Sequence, residues 1–176
     1  HRPPVALPLM ARRMNYSARL PFTTEQVYGA LTSQSYWDAI VEELRKYSEN
    51  EMTSFTVSDA GIDVTMRHII PRHTLPDIAQ TVMKKDMVIT RNIHHDAFGE
   101  TTSGKYDASI PAGPGSLTGV TELFPTETGS TLRTTSEAKV YIPFVGGKLE
   151  QLMLVNLRDL WSGEAEVTHD WLKKNA

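Results

Sequence analysis

Cysteine is absent from this 176-residue chain. Disulfides, thiolate nucleophiles and cysteine metal sites are therefore excluded. Long apolar runs are missing as well: none approaches the ~18 residues that a membrane-spanning helix needs. Blocks of charge are equally scarce. The net charge is −3 and no basic run exceeds a dipeptide, so nothing in the pattern marks a nucleic-acid face. No Gly-x-Ser-x-Gly elbow offers a nucleophile. Gly113, Gly115 and Gly119 lack the following Lys-Ser/Thr of a phosphate loop, and read instead as a turn with a bend in the next strand. The opening stretch from His1 to Met10 is too short and too proline-rich for a signal sequence. A cytoplasmic location is the default expectation.

What remains is the make-up of an ordinary globular protein, 40% hydrophobic and 22% charged. Residues 1–12 read as an N-terminal tail, partly from upstream coding sequence, ahead of a single domain over residues 13–175. From Arg13 to Pro21, Met14, Tyr16, Ala18 and Leu20 alternate with polar residues, the pattern of a half-buried strand. Thr23 with Gln26 three residues later has the form of a capping box for a short helix. A second helix follows from Ser33 or Ser35, with Trp37, Ile40, Val41 and Leu44 at helical spacing.

Met52–Ser58 and Gly61–Ile70 pattern as strands joined by a tight turn at Asp59-Ala60-Gly61. A short helix is expected over Pro76–Lys84. Alternation returns around Met87–Ile93, Tyr106–Ile110, Leu117–Phe124 and Leu132–Ile142, with a turn at Pro111–Gly115. Hairpin-linked strands followed by segregated helices indicate an α+β fold on an antiparallel sheet of six to seven strands.

The chain closes with about 28 proline-free residues, Gly147 to Lys174, enough for a helix roughly 42 Å long. At 100° per residue Leu149, Met153, Leu160, Val167 and Trp171 fall in one stripe, flanked by Leu152 and Leu157. Asn156 lies within that stripe and Glu164 at its edge. Leu154, Trp161 and Leu172 form a second, weaker stripe. It is expected to hold the tail through Val5, Leu7 and Leu9, or a second copy of the chain. On this phase Trp161 should be less buried than Leu160.

Leu20-Pro21-Phe22 leading into Glu25-Gln26-Val27-Tyr28, the run Ile142 to Glu150 entering the final helix, and Trp171-Leu172 carry a resemblance. The chain resembles the START-like (SRPBCC) superfamily over Arg13–Asn175, and within it an uncharacterised actinobacterial family. That resemblance implies a helix-grip fold, in which a curved antiparallel sheet wraps a long C-terminal helix, with two short helices after the first strand. It also implies a cavity between sheet and helix, the default binding site.

The inward phases supply candidates for that cavity, expected at roughly 300–1,000 Å³. Met66, Ile89, Leu149, Met153, Leu157 and Leu160 offer apolar contact. His68, Arg91, Tyr106, Thr134, Ser136 and Asn156 offer polar anchors. Arg91 either pairs with Glu164 or anchors an anion or carbonyl. A hydrophobic or amphipathic small molecule, such as a lipid, isoprenoid or polyketide, is the expected partner, with no cofactor. An aromatase/cyclase-like enzyme using His68, Glu164 or Tyr106 as acid and base is the first alternative. An interaction module without ligand is the second. His94-His95-Asp96, with His68 and His73, raises the question of a metal. Neighbours on a strand point to opposite faces, however, so His94 and His95 do not chelate together, and no metal is expected.

Overall fold

Period-two patterning through most of the chain and helical patterning in its last thirty residues become two layers in the computed structural model. The structure describes residues 12–110 and 113–176. Strand β1 (Arg12–Leu20) precedes helices α1 (Thr24–Leu31) and α2 (Gln34–Leu44). Strands β2 (Glu49–Ser58) and β3 (Gly61–Ile70) follow, then a single 3₁₀ turn (Arg72–Thr74) and the short α3 (Asp77–Gln80). β4 (Met87–Asp96), β5 (Thr102–Ser109), β6 (Gly115–Thr126) and β7 (Gly129–Val140) complete the sheet, and α4 (Gly146–Asn175) ends the chain. The seven strands lie in the order β1-β7-β6-β5-β4-β3-β2, every neighbouring pair antiparallel. This is the helix-grip fold, α+β, with α4 against the sheet's inner face and α1 and α2 packed on both.

Local chemistry sets the boundaries. Thr23 accepts from the Gln26 amide at 3.1 Å and the Gln26 side chain accepts from the Thr23 amide at 2.9 Å, closing the capping box that starts α1. α3 is shorter than the helix expected over Pro76–Lys84. Arg72 explains why: its guanidinium donates to the Met83 and Gln80 carbonyls, at 2.6 and 2.8 Å, and these anchors fold the segment into a loop. The expected contacts of Val5, Leu7 and Leu9, and the Pro111-Ala112 part of the expected turn, lie outside the described residues. Arg12, counted with the tail, belongs to β1.

The length of α4 agrees with expectation and its rotation does not. Its buried side chains are Leu149, Glu150, Leu154, Leu157, Trp161, Thr168 and Leu172. At 100° per residue the centre of that set lies about 90° from the expected stripe. Leu154, Trp161 and Leu172 therefore face inward, as members of the core cluster. Trp161 is 7% exposed, buried more deeply than the half-buried Leu160. Asn156 is exposed.

The physical reason is that α4 is covered on two sides. The sheet takes the face centred on Leu157 and Trp161. α2 takes the flank: the Tyr36 ring meets Trp171 edge-on with centroids 5.8 Å apart. Met153, Leu160, Val167 and Trp171 are the partly buried flank packed against the core. Hydrophobicity alone could not tell flank from centre.

Removing the α1 cap should be felt by the whole domain. Thr23→Ala is expected to lower unfolding free energy by about 1 kcal/mol, read from the urea midpoint at unchanged slope.

Candidate functional site

Three cross-strand rows build the inner face over the second half of α4. In the first, Met66 (β3) and Arg91 (β4) are register partners, with Ala108, Leu117 and Ala138 continuing the row. The second runs from Val64 and Ile93 through Tyr106 and Gly119 to Ser136. The third runs from Ile62 and His95 through Gly104 and Thr121 to Thr134.

Each of the last two rows has a glycine where large groups must meet. A Cβ on Gly119 would collide with the Tyr106 ring. The ring thus crosses β6 in the space a side chain would fill, and its hydroxyl hydrogen-bonds the Ser136 hydroxyl at 2.5 Å. A Cβ on Gly104 would collide with Thr121 Oγ1 and lie 2.8 Å from His95 Nδ1. That glycine lets the His95 and Thr121 side chains approach over β5. Gly119 is thus a place of close approach, not the simple bend its sequence context suggests.

α4 brings the third dimension. Arg91 donates from both terminal nitrogens to Glu164, at 2.8 and 3.0 Å, with side-chain exposures of 9% and 14%. The guanidinium carbon lies 4.8 Å from the centre of the Trp161 ring, a cation–π arrangement. Trp161 also meets the Tyr106 ring edge-on at 5.3 Å and directs its indole N–H toward Ser136 Oγ at 3.4 Å. Thr168 donates to the Glu164 carbonyl at 2.8 Å, leaving the Tyr36 hydroxyl to donate to Thr168 at 2.7 Å. α2 is tied in this way to the same turn of α4 that carries the ion pair.

Between these groups lies a cavity of about 80 Å³. Its sheet wall includes Ala18, Leu20, Arg91, Ile93, His95, Tyr106, Thr121, Leu132 and Thr134. Leu31, Tyr36 and Trp37 close it from α1 and α2, and Trp161, Glu164, Ala165 and Thr168 from α4. Two residues of this wall each carry a fully buried polar atom, Arg91 Nε and Thr121 Oγ1, with no hydrogen-bond partner among the described residues. Buried polar atoms are ordinarily satisfied, so each calls for water or a ligand atom.

Of the residues expected at the site, Arg91, Tyr106 and Thr134 do line the cavity. Ser136 sits behind, under Tyr106. Met66 and His68 on β3 are buried and Ile89 on β4 is half-buried, all outside the lining. Leu149 and Leu157 are buried, Met153 and Leu160 half-buried and Asn156 exposed, and all five also lie outside it. The volume is below the expected range for the same reason. With α4 rotated, the Trp161 indole fills space that a leucine and an asparagine were expected to leave.

Sequence reasoning placed Trp161 on the outer stripe and gave no site role to Tyr36, Trp37, His95, Thr121 or Thr168. The strand periodicity that places His95 in phase with Arg91, four positions on, was the available signal.

Electrostatics keep this wall uncharged apart from the ion pair. Burial pushes His95 down to about 4, aided by His94 and Arg91. Burial likewise, with Arg91, holds His68 at about 4. Burial raises the Tyr106 hydroxyl to about 12 and pushes Tyr36 higher still. Burial opposes the Arg91 charge, but Glu164 outweighs it and the guanidinium titrates above its ordinary value. His94 points to the other face, where hydrogen bonds to Asp63 at 2.8 Å and Asp96 at 2.9 Å raise its pKa.

A family model described as a protein of unknown function (DUF2505) matches residues 15–172. The chain belongs to the DUF2505 family. Relatives of this DUF2505 chain include uncharacterised proteins of Mycobacterium tuberculosis and Mycobacterium bovis. Each is 27% identical over 176 residues, covering 94% of this chain and 99% of the relative. The fold is similar to that of TTHA0849 from Thermus thermophilus. That structure has TM-score 0.59 at 17% identity and covers 95% of this chain and 100% of its own. Ara h 8.0201 is similar too, with TM-score 0.53 at 10% identity over 94% and 100% of the two chains. Among the described residues no helix is long and apolar enough to cross a membrane.

Two outcomes follow from the buried charges. Arg91→Met should cost about 3–5 kcal/mol, because it strands Glu164 in the interior, and Arg91→Met/Glu164→Met should recover most of that loss in urea titrations. The second concerns acid. Both depressed imidazoles regain their ordinary value of 6.5 on unfolding, so the unfolded chain binds more protons between about pH 6.5 and pH 4. Their contribution to stability is full above pH 6.5 and is lost toward pH 4, with the raised His94 working in the opposite sense. The urea midpoint should fall between pH 7 and pH 4.5, and fall less in His68→Gln/His95→Gln.

Proposed function

We propose that this DUF2505 chain is a START-like protein that binds a hydrophobic or amphipathic small molecule, of lipid, isoprenoid or polyketide type, between its sheet and α4. The observation that carries this reading is the cavity wall itself. Apolar surface from Ala18, Leu20, Ile93 and Leu132 stands beside polar atoms that lack partners among the described residues, Arg91 Nε and Thr121 Oγ1. A core built only for stability gains nothing from leaving them unsatisfied. A cavity of about 80 Å³ receives the polar end of such a molecule. The apolar remainder takes its place when Trp161, or the α1–α2 pair that closes the cavity, moves aside.

One observation favours the interaction module instead, and that is the small volume. The acid–base reading finds less support. Glu164 is engaged by Arg91, Tyr106 by Ser136, and His68 lies outside the wall.

Native mass spectrometry of the purified chain should show a bound small molecule, and the neutral dye Nile red should bind and brighten. Thr134→Trp, which fills the cavity, should abolish dye binding while far-UV circular dichroism stays unchanged. A bare mass together with no dye binding by the wild type would give the chain to the interaction reading.

A further inference from the structure

The cavity contains one cation and one anion, and they are spent on each other. Both terminal nitrogens of Arg91 are used by the two carboxylate oxygens of Glu164, and the face of the guanidinium is covered by Trp161. Every other polar side chain in the wall, among the described residues, is a neutral hydrogen bonder: the Tyr36 and Tyr106 hydroxyls, the threonine hydroxyls, the Trp37 and Trp161 indoles and the imidazole of His95. Their surroundings keep them so near neutral pH, with His95 held at about 4 and Tyr106 at about 12.

A carboxylate entering this space would meet no unpaired positive charge. It would have to break the ion pair or lie desolvated without a counterion, and both are costly. An ammonium group meets the mirror-image problem. An uncharged oxygen fares differently. Arg91 Nε can only donate and Thr121 Oγ1 can donate or accept, and neither has a partner among the described residues. A carbonyl oxygen accepts from such groups and a hydroxyl also returns a proton to the threonine.

Resting on the binding reading above, we propose that the ligand's polar end is uncharged. The cavity selects an alcohol or a ketone over a carboxylate or an amine of the same chain length, and the Arg91–Glu164 pair is the specificity determinant. Arg91 thus acts as a neutralised donor, not as an anion anchor.

The test measures 1-decanol, 2-decanone, decanoate and decylammonium against the full chain at pH 7, by Nile red displacement and by amide shifts in NMR spectra. The alcohol and ketone are expected to bind at least about tenfold more tightly than either ion, a difference of about 1.4 kcal/mol. Decanoate binding as well as decanol would overturn the inference and leave the binding reading standing. If none of the four binds, both fall.

Glu164→Gln supplies the second arm, since it frees the Arg91 charge at nearly constant shape. In that variant decanoate should gain at least about tenfold relative to decanol. A folded Glu164→Gln protein that still rejects decanoate would show that the pair is not what excludes it. Should the variant not fold, the four-ligand comparison on the wild type decides alone.

Discussion

One ion pair fixes how helix and sheet meet. Arg91 stands in the middle of β4 and Glu164 in the second half of α4, and an unpaired charge at either place would cost about 3–5 kcal/mol. Satisfying both sets the rotation of α4 about its axis. Once Glu164 faces Arg91, Trp161 one turn earlier must lie over the guanidinium and the Tyr106 ring. Thr168 one turn later must fall beneath Tyr36 of α2, and Asn156 is carried out to solvent. Apolar burial supplies most of the driving force for folding, but it is nondirectional. The pair supplies the direction.

Most of the fold was legible from the chain, because strands advertise themselves by alternation and hairpins by their turns. Gly61–Ile70 and the capping box at Thr23 and Gln26 were readable to the residue. α4 was readable in extent, since Pro143 and the paired glycines mark its start. Its phase was not. Leu149, Met153, Leu160, Val167 and Trp171 make the tidier apolar stripe, and a rule that scores hydrophobicity picks it. The face that meets the sheet carries Trp161, Glu164 and Thr168, whose suitability depends on Arg91, Ser136 and Tyr36, partners 25 to 132 positions away in sequence. The pairing of Arg91 with Glu164 was visible only as one of two options.

The site was legible in proportion to how far strand phase decides it. Arg91, Tyr106 and Thr134 were found because inward phase along a strand is a local property. Tyr36, Trp37 and Thr168 come from helices whose placement follows from tertiary contacts, and no local pattern announces them. His95 shows a different failure. It shares the inward phase of Arg91, but it was weighed only as a metal ligand beside His94, set aside because strand neighbours point to opposite faces, and given no place in the cavity.

The glycine beneath Tyr106 has a consequence for how sequences on this fold can drift. Position 119 and position 106 occupy one volume between them: a side chain at one subtracts from the ring allowed at the other. The two positions are therefore a single heritable choice. A lineage that gains a methyl group on β6 must shrink the aromatic on β5, and in doing so gives up the hydroxyl that reaches Ser136. Glycine at 104 binds His95 and Thr121 into a similar compact. Covariation among homologues should concentrate in these short triples across the strands before it spreads along any one of them.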